Sequence, residues 1–194
     1  QFKKFLTEME DNEWPGIVCV GVQGAGKSLI AKAFGNEAGV PNIALDLGAT
    51  ESKWHGESEG NMLRVMQLVK QVGQGNAYII ATSNAATVMR PEMQRRFVDG
   101  IWMFDVMTDA ERLVAWDYFE KKYQLPKQRR PADKDWTGAE IRNCCRAAYE
   151  TRITLLESAE TVVPIATSRP EEIRRLQQLA SGRLLDANKG GTYV

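Results

Sequence analysis

The residues best placed to do chemistry are Gly21-Val22-Gln23-Gly24-Ala25-Gly26-Lys27-Ser28. They fit the pattern G-x-x-x-x-G-K-[ST]. The apolar run Ile17-Val18-Cys19-Val20 precedes them and Leu29-Ile30-Ala31-Lys32-Ala33-Phe34 follows, so the Walker A pattern has the strand–loop–helix setting it needs. Glycines let such a loop close around a polyphosphate, with backbone N–H groups and a helix N-terminus directed at the anionic oxygens. Lys27 is spaced to reach the β- and γ-phosphates, and Ser28 to offer its hydroxyl to Mg2+. The expected nucleotide contacts are Gly21, Gln23, Gly24, Ala25, Gly26, Lys27, Ser28 and Leu29. A glycine-rich turn without a ligand would match the pattern but would not need the strand before it and the helix after it.

The flanking elements are legible from periodicity. A helix over 27–38 ends at Gly39 and Pro41, and the near-continuously apolar stretch Asn42–Leu47 reads as a strand buried on both faces. Strand, crossover helix and strand make a βαβ unit, so the sheet is at least partly parallel. A helix is expected from Ser58 or Glu59 to about Gln71, a strand over Ala77–Thr82, a short helix over Pro91–Phe97 and a last strand over Ile101–Val106. An amphipathic helix over Phe2–Met9 leads in. Beyond Met107 the pattern is helical. Capping boxes are expected at Thr108/Glu111, Thr137/Glu140 and Ser168/Glu171, opening helices over 108–123, from 137 to about 156, and over 171–180. The tail Gly190-Gly191-Thr192-Tyr193-Val194 has no periodicity. The reading is an α/β core over 1–106 and a helical portion over 107–194.

Composition excludes some classes. Twenty-five basic residues balance twenty-five acidic ones, so no global field recruits nucleic acid or an acidic membrane. No apolar run approaches the roughly 18–20 residues of a membrane span, and no signal peptide is evident. The first residue is Gln1, which reads as a fragment or a processed product. Cys19, Cys144 and Cys145 lack zinc-site spacing and read as core packing. With no disulfide framework, a reducing cytoplasm is the expected setting.

In order and over nearly its whole length, the chain resembles an AAA+ ATPase module of the AAA type. Such a module is a P-loop α/β sheet flanked by helices and followed by a small helical lid. Lys53-Trp54-His55-Gly56-Glu57-Ser58-Glu59 resembles the stretch whose aromatic faces the central pore of a ring and grips threaded polypeptide. The resemblance gives that role to Trp54, flanked by His55 and Gly56; packing of Trp54 on the core is the plainer alternative. Ala81-Thr82-Ser83-Asn84 resembles sensor 1, which implies that Asn84 orients the attacking water. Arg90-Pro91-Glu92-Met93-Gln94-Arg95-Arg96-Phe97 resembles the arginine-finger segment, implying that Arg95 or Arg96 reaches a neighbouring subunit's nucleotide; alone, the pair would read as a solvated face. Trp136-Thr137-Gly138-Ala139-Glu140-Ile141 resembles the start of the lid helix, making Gly138 and Ala139 candidate contacts of the adenine. The resemblance implies ATP or ADP with Mg2+ as ligands, a homo-oligomeric ring such as a hexamer, and a protein substrate.

One part of that pattern is missing. A Walker B strand ends in Asp-Glu, but no Asp or Glu lies between Glu59 and Glu92. By the size of a βα unit, on the order of 40 residues are absent around 67–75. That strand belongs inside the sheet, so its loss is expected to leave ladder hydrogen bonds unmet. Asp46, at the end of the second strand, is the best stand-in for a Mg2+ contact. Two readings follow: a ring ATPase that remodels or threads proteins, or a nucleotide-binding module with little or no hydrolysis. A small-molecule kinase would explain the phosphate loop and lid, but neither the Trp54 stretch nor the Thr137-Gly138-Ala139 helix start.

Overall fold

A computed structural model of the chain describes residues 16–38, 42–46, 68, 78–84, 97 and 99–194. The expected helices over 2–9 and 91–97 therefore lie outside the described residues, apart from Phe97. So does the helix from 58 to 71, apart from Leu68, which is helical.

Strand β1 (Gly16–Gly21) runs into the phosphate loop, and helix α1 (Lys27–Ala38) follows it with the expected bounds. Three parallel strands come next: β2 (Asn42–Asp46), β3 (Tyr78–Ser83) and β4 (Ile101–Phe104). A two-residue strand, β5 (Leu185–Asp186), completes the sheet in the order β2-β3-β1-β4-β5. All four pairings are parallel. Val18, Val20, Ile80, Met103 and Leu184 are buried here, as expected of strands covered on both faces.

Three expectations for the sheet are corrected. The interior gap is not present, because β2 pairs directly with β3, from Asn42 opposite Tyr78 to Asp46 opposite Thr82. The sheet has closed over the missing strand, so the ladder groups on that side of β3 have partners. Strand β4 stops at Phe104, short of Val106, because the Val106 N–H turns to Asp105 Oδ1 at 2.8 Å and leaves the ladder. It is also not the last strand. After Ala180 the chain forms β5 beside β4, with Ala187 N–H donating to Met103 O at 3.0 Å. Asp186 Oδ1 then accepts from the N–H groups of Asn188 and Lys189, closing a turn that brings Thr192 back opposite Leu185.

The described residues form two compact units. One comprises Gly16–Gly21 with the described residues of 27–104 and residues 180–194; the other comprises Val22–Gly26 and Asp105–Leu179.

In the second unit, helix α2 (Asp109–Lys122) opens on the expected Thr108/Glu111 capping box, with Thr108 N–H donating to Glu111 Oε2 at 2.7 Å. Helix α3 (Gly138–Thr151) starts as expected but ends earlier, at Arg152, whose φ of 58° is left-handed and breaks the helical ladder. A separate helix, α4 (Leu155–Ala159), opens on Thr154 and Glu157, a Thr-x-x-Glu box that the sequence contained. The Ser168 box does not form. Ser168 ends helix α5 (Ile165–Ser168), its hydroxyl donates to Ile165 O at 3.5 Å, and helix α6 (Pro170–Ala180) starts instead on Pro170. Proline suits that first position because its missing N–H would have no helical partner there.

The core of this unit joins Trp116, Trp136, Ile141, Cys144, Cys145 and Leu155. Ser158 Oγ ties α4 to α3 by donating to Cys144 O at 2.8 Å. Replacing Thr154 by alanine removes the α4 cap and should cost about 1 kcal/mol of stability, read as a lower urea midpoint at unchanged slope. Glu157's carboxyl is held below the usual range by the Thr154 N–H and hydroxyl. That contribution is present above the ordinary carboxylate pKa and fades as pH falls through the lower folded value, so the gap between wild type and Thr154→Ala should narrow in acid.

Candidate nucleotide-binding site

The phosphate loop is divided between the two units, and each part has its own local geometry. In the sheet unit, Lys27, 7% exposed as a residue, opens α1 with its side chain folded back, and its ammonium donates to Gly21 O at 2.8 Å. Ser28 and Leu29 are exposed in the first turn of α1. Asn84 follows β3 at the sheet's carboxyl edge and is also exposed. Parallel α/β sheets bind ligands at this edge. Burial pushes the Cys19 thiol up to about 12 against the lowering influence of the Lys27 charge, so Cys19 is an inert core group within electrostatic reach of the loop lysine.

In the helical unit, the tip of the loop meets the N-terminus of α3. Ala139 N–H donates to Gly24 O at 3.3 Å. Gly24 has a φ of +86°, and a Cβ there would stand 2.7 Å from Thr137 Oγ1 and 2.9 Å from Ala139 Cβ, so only glycine allows the approach. Gly26, at φ +97°, faces open space. Ala25 N–H closes a turn onto Val22 O at 3.2 Å, and Gln23 is exposed. Gly138 packs beside Met107, whose Cε would lie 3.0 Å from a Cβ at that position.

Sequence reasoning had treated Thr137 only as a cap. Glu140 Oε2 does accept the Thr137 N–H at 2.6 Å, and Glu140 Oε1 accepts the Ile165 N–H at 2.5 Å. The Thr137 hydroxyl, by contrast, is 1% exposed and without a hydrogen-bond partner in the structure. A buried unsatisfied hydroxyl costs stability, and this one lies on the phosphate loop.

Gly24, Gly138 and Ala139 are thus brought together. Lys27, Ser28 and Leu29 share the first turn of α1. Trp54, His55, Gly56, Arg95 and Arg96 lie outside the described residues. Arg142 is exposed and donates to Asn143 Oδ1 at 3.4 Å. Among the described residues, no helix is long and apolar enough to cross a membrane.

These local features fit a polyphosphate. The loop has a glycine facing open space, a lysine at the head of a helix and a helix-borne hydroxyl suited to Mg2+. Residues 17–80 match the model of the family described as ATPase family associated with various cellular activities (AAA). That stretch, from β1 into β3, is similar to the AAA family.

An uncharacterized AAA domain-containing protein ycf46 of Guillardia theta is 24% identical to this chain over 227 residues, covering 86% of this chain and 44% of that protein. That aligned span is longer than the 194 residues of this chain, so the relative holds residues within it that this chain lacks. Katanin p60 ATPase-containing subunit A1 of Strongylocentrotus purpuratus is 41% identical over 46 residues, which are 24% of this chain and 9% of the katanin subunit. The chain therefore spans less than half the length of the curated relatives it matches. Among solved structures, one described as the structural basis for katanin self-assembly superposes with a TM-score of 0.57 at 18% identity, covering 86% of this chain and 77% of that one. This likeness supports the P-loop α/β fold with a helical lid.

Proposed function

We propose that the module binds ATP with Mg2+ and hydrolyses it at the interfaces of a homo-oligomeric ring that remodels or threads a protein substrate. The observation that carries the reading is the phosphate loop itself: a strand-to-helix glycine loop with Lys27 at the head of α1 and Gly24 held against the N-terminus of α3. Lys27 would neutralise the β- and γ-phosphates and Ser28 would hold Mg2+. The metal would supply charge neutralisation on the transferred phosphoryl group. Gly138 and Ala139, with no bulky side chains, would admit the adenine. Asn84 at the strand end would orient the attacking water, and Arg95 or Arg96 of a neighbouring subunit would stabilise the transition-state charge. Trp54, with His55 and Gly56, would offer a large apolar contact to the substrate polypeptide. The katanin likeness supports assembly, since that structure's description concerns self-assembly.

A second reading is favoured by one observation, the lack of any Asp or Glu between Glu59 and Glu92. In it the module holds nucleotide as a structural or switching ligand and turns it over little. Steady-state phosphate release by the purified protein separates the two. Turnover that falls by about 1,000-fold in Arg95→Ala or Arg96→Ala supports the ring enzyme. Nucleotide binding without turnover supports the second reading.

A further inference from the structure

Helix α2 buries one side in the core of its unit and, among the described residues, leaves the other uncovered. Leu113, Val114 and Tyr118 are more than half exposed, and they share that outer side with Asp117, Lys121 and Lys122. Spacings of i, i+1, i+4, i+5, i+8 and i+9 from Leu113 keep these side chains on one helical face. Lys122 Nζ stands 5.9 Å from the Tyr118 ring centroid, so charge and apolar surface meet there.

The loop that follows adds charge. Residues 121–134 hold six cations and a single acid, Asp133. Asp133 accepts from Trp116 Nε1–H at 2.7 Å. Arg130 turns back to Glu120 at 2.7 Å and to Asp117, which fixes the loop beside the outer face of α2 and neutralises the acid of that face. Lys121, Lys122, Lys127, Arg129 and Lys134 are exposed, and none has an ion-pair partner among the described residues. Elsewhere in the unit, Arg146, Arg169 and Arg174 pair with Glu150, Glu172 and Glu171. The loop is also held from below. Leu125 packs on the core, and Gln128 Oε1 accepts the Leu155 N–H at 2.9 Å. Pro126 and Pro131 restrict the backbone further. Cations on a fixed backbone lose less freedom on binding than cations on a mobile tail.

We propose that this surface docks a segment of a partner protein in which acidic residues alternate with large apolar ones. Leu113 to Lys122 covers about 14 Å of helix, which about four or five residues of extended chain would span. One such segment can set an apolar side chain on Leu113 and Val114 and a carboxylate on Lys121 and Lys122. Further acids would meet the loop cations beside Arg130. Nucleic acid fits less well, because Leu113 and Val114 offer bases no ring to stack on. Twenty-five acidic residues also cancel the chain's twenty-five basic ones, so no overall field draws a polyanion. The inference goes beyond the nucleotide reading and does not depend on it.

The test follows the anisotropy of a fluorescein-labelled peptide of repeated Glu-Leu pairs, titrated with the full chain without nucleotide. Wild type should bind it, and raising salt from about 50 to 200 mM should weaken binding. The double variants Lys121→Gln/Lys122→Gln and Leu113→Gln/Val114→Gln should each weaken it by about tenfold. Glutamine is a good helix former, so α2 should persist in both. Arg174→Gln/Arg175→Gln removes the same charge from α6 and should leave affinity within about twofold of wild type. A wild type that does not bind the peptide overturns the proposal, as does an α6 control that weakens binding as much as the α2 pairs. Loss in only one of the two α2 pairs overturns it too, since charge or apolar contact alone would then suffice. An oligothymidylate or phosphatidylserine vesicles bound as tightly as the peptide would overturn it in favour of nucleic acid or membrane. Wild-type self-association that is lost in Leu113→Gln/Val114→Gln would overturn it in favour of a second copy of the chain.

Discussion

Replacing Lys27 by alanine should abolish measurable nucleotide binding while leaving the fold intact. The ammonium is the one cation fixed by local structure at the head of α1, and it already holds a backbone carbonyl of the loop, Gly21 O. Hydrogen bonds to charged groups contribute up to about 3 kcal/mol each, so losing the phosphate contact alone corresponds to roughly two orders of magnitude in Kd. Removing the side chain also leaves Gly21 O without that donor, at a cost of about 1 kcal/mol that should appear as a small drop in melting temperature. Calorimetric titration with ATP and a thermal melt of the same sample check the two effects. A variant that melts like wild type yet still binds ATP at wild-type affinity would remove Lys27 from the site.

The largest effect on stability is expected from Trp116→Ala. Trp116 is 1% exposed, its ring centroid lies 6.1 Å from that of Trp136, and its Nε1–H donates to Asp133 Oδ2 at 2.7 Å. Arg130, held by Glu120 at 2.7 Å, sits 5.9 Å over the same ring. Truncation opens a cavity among α2, α3 and their loop and leaves Asp133 short of a donor. Large-to-small changes of this kind cost about 3–5 kcal/mol. Urea unfolding followed by tryptophan fluorescence should show the helical unit lost at markedly lower denaturant. A shift under 1 kcal/mol would mean that the site collapses around the missing ring.

What could be read from the sequence depended on how local the cause was. The phosphate loop was fully legible because β1, the glycines and α1 are consecutive, and the motif fixes the turn between them. The Thr108 box was equally local. The Thr154 box was present in the letters but lay inside a pattern read as one helix through Leu156, and only the left-handed Arg152 separates the two. Ser168 had the right spacing to Glu171, yet Pro170 gave α6 a start that needed no cap. The sheet's closure and β5 were not legible. Pairing between strands is set by distant chain, and two residues carry no period. At the site, the resemblance made Gly138 and Ala139 expected adenine contacts, and the structure puts the Ala139 N–H on Gly24 O. The contact of Ala139 with Gly24 and the orphan hydroxyl of Thr137 depend on packing between segments more than a hundred residues apart.

β5 has a further consequence. Among the described residues, two residues, with the turn that folds Thr192 back onto Leu185, cover the outer edge of β4. So short a pairing opens at little free-energy cost, and each opening would present the unpaired backbone of β4 to whatever chain is nearby. The β5 segment thus works as a stopper on this hydrogen-bonding edge of the sheet. Resistance to strand exchange at this edge would then rest on residues 185–192 rather than on the core.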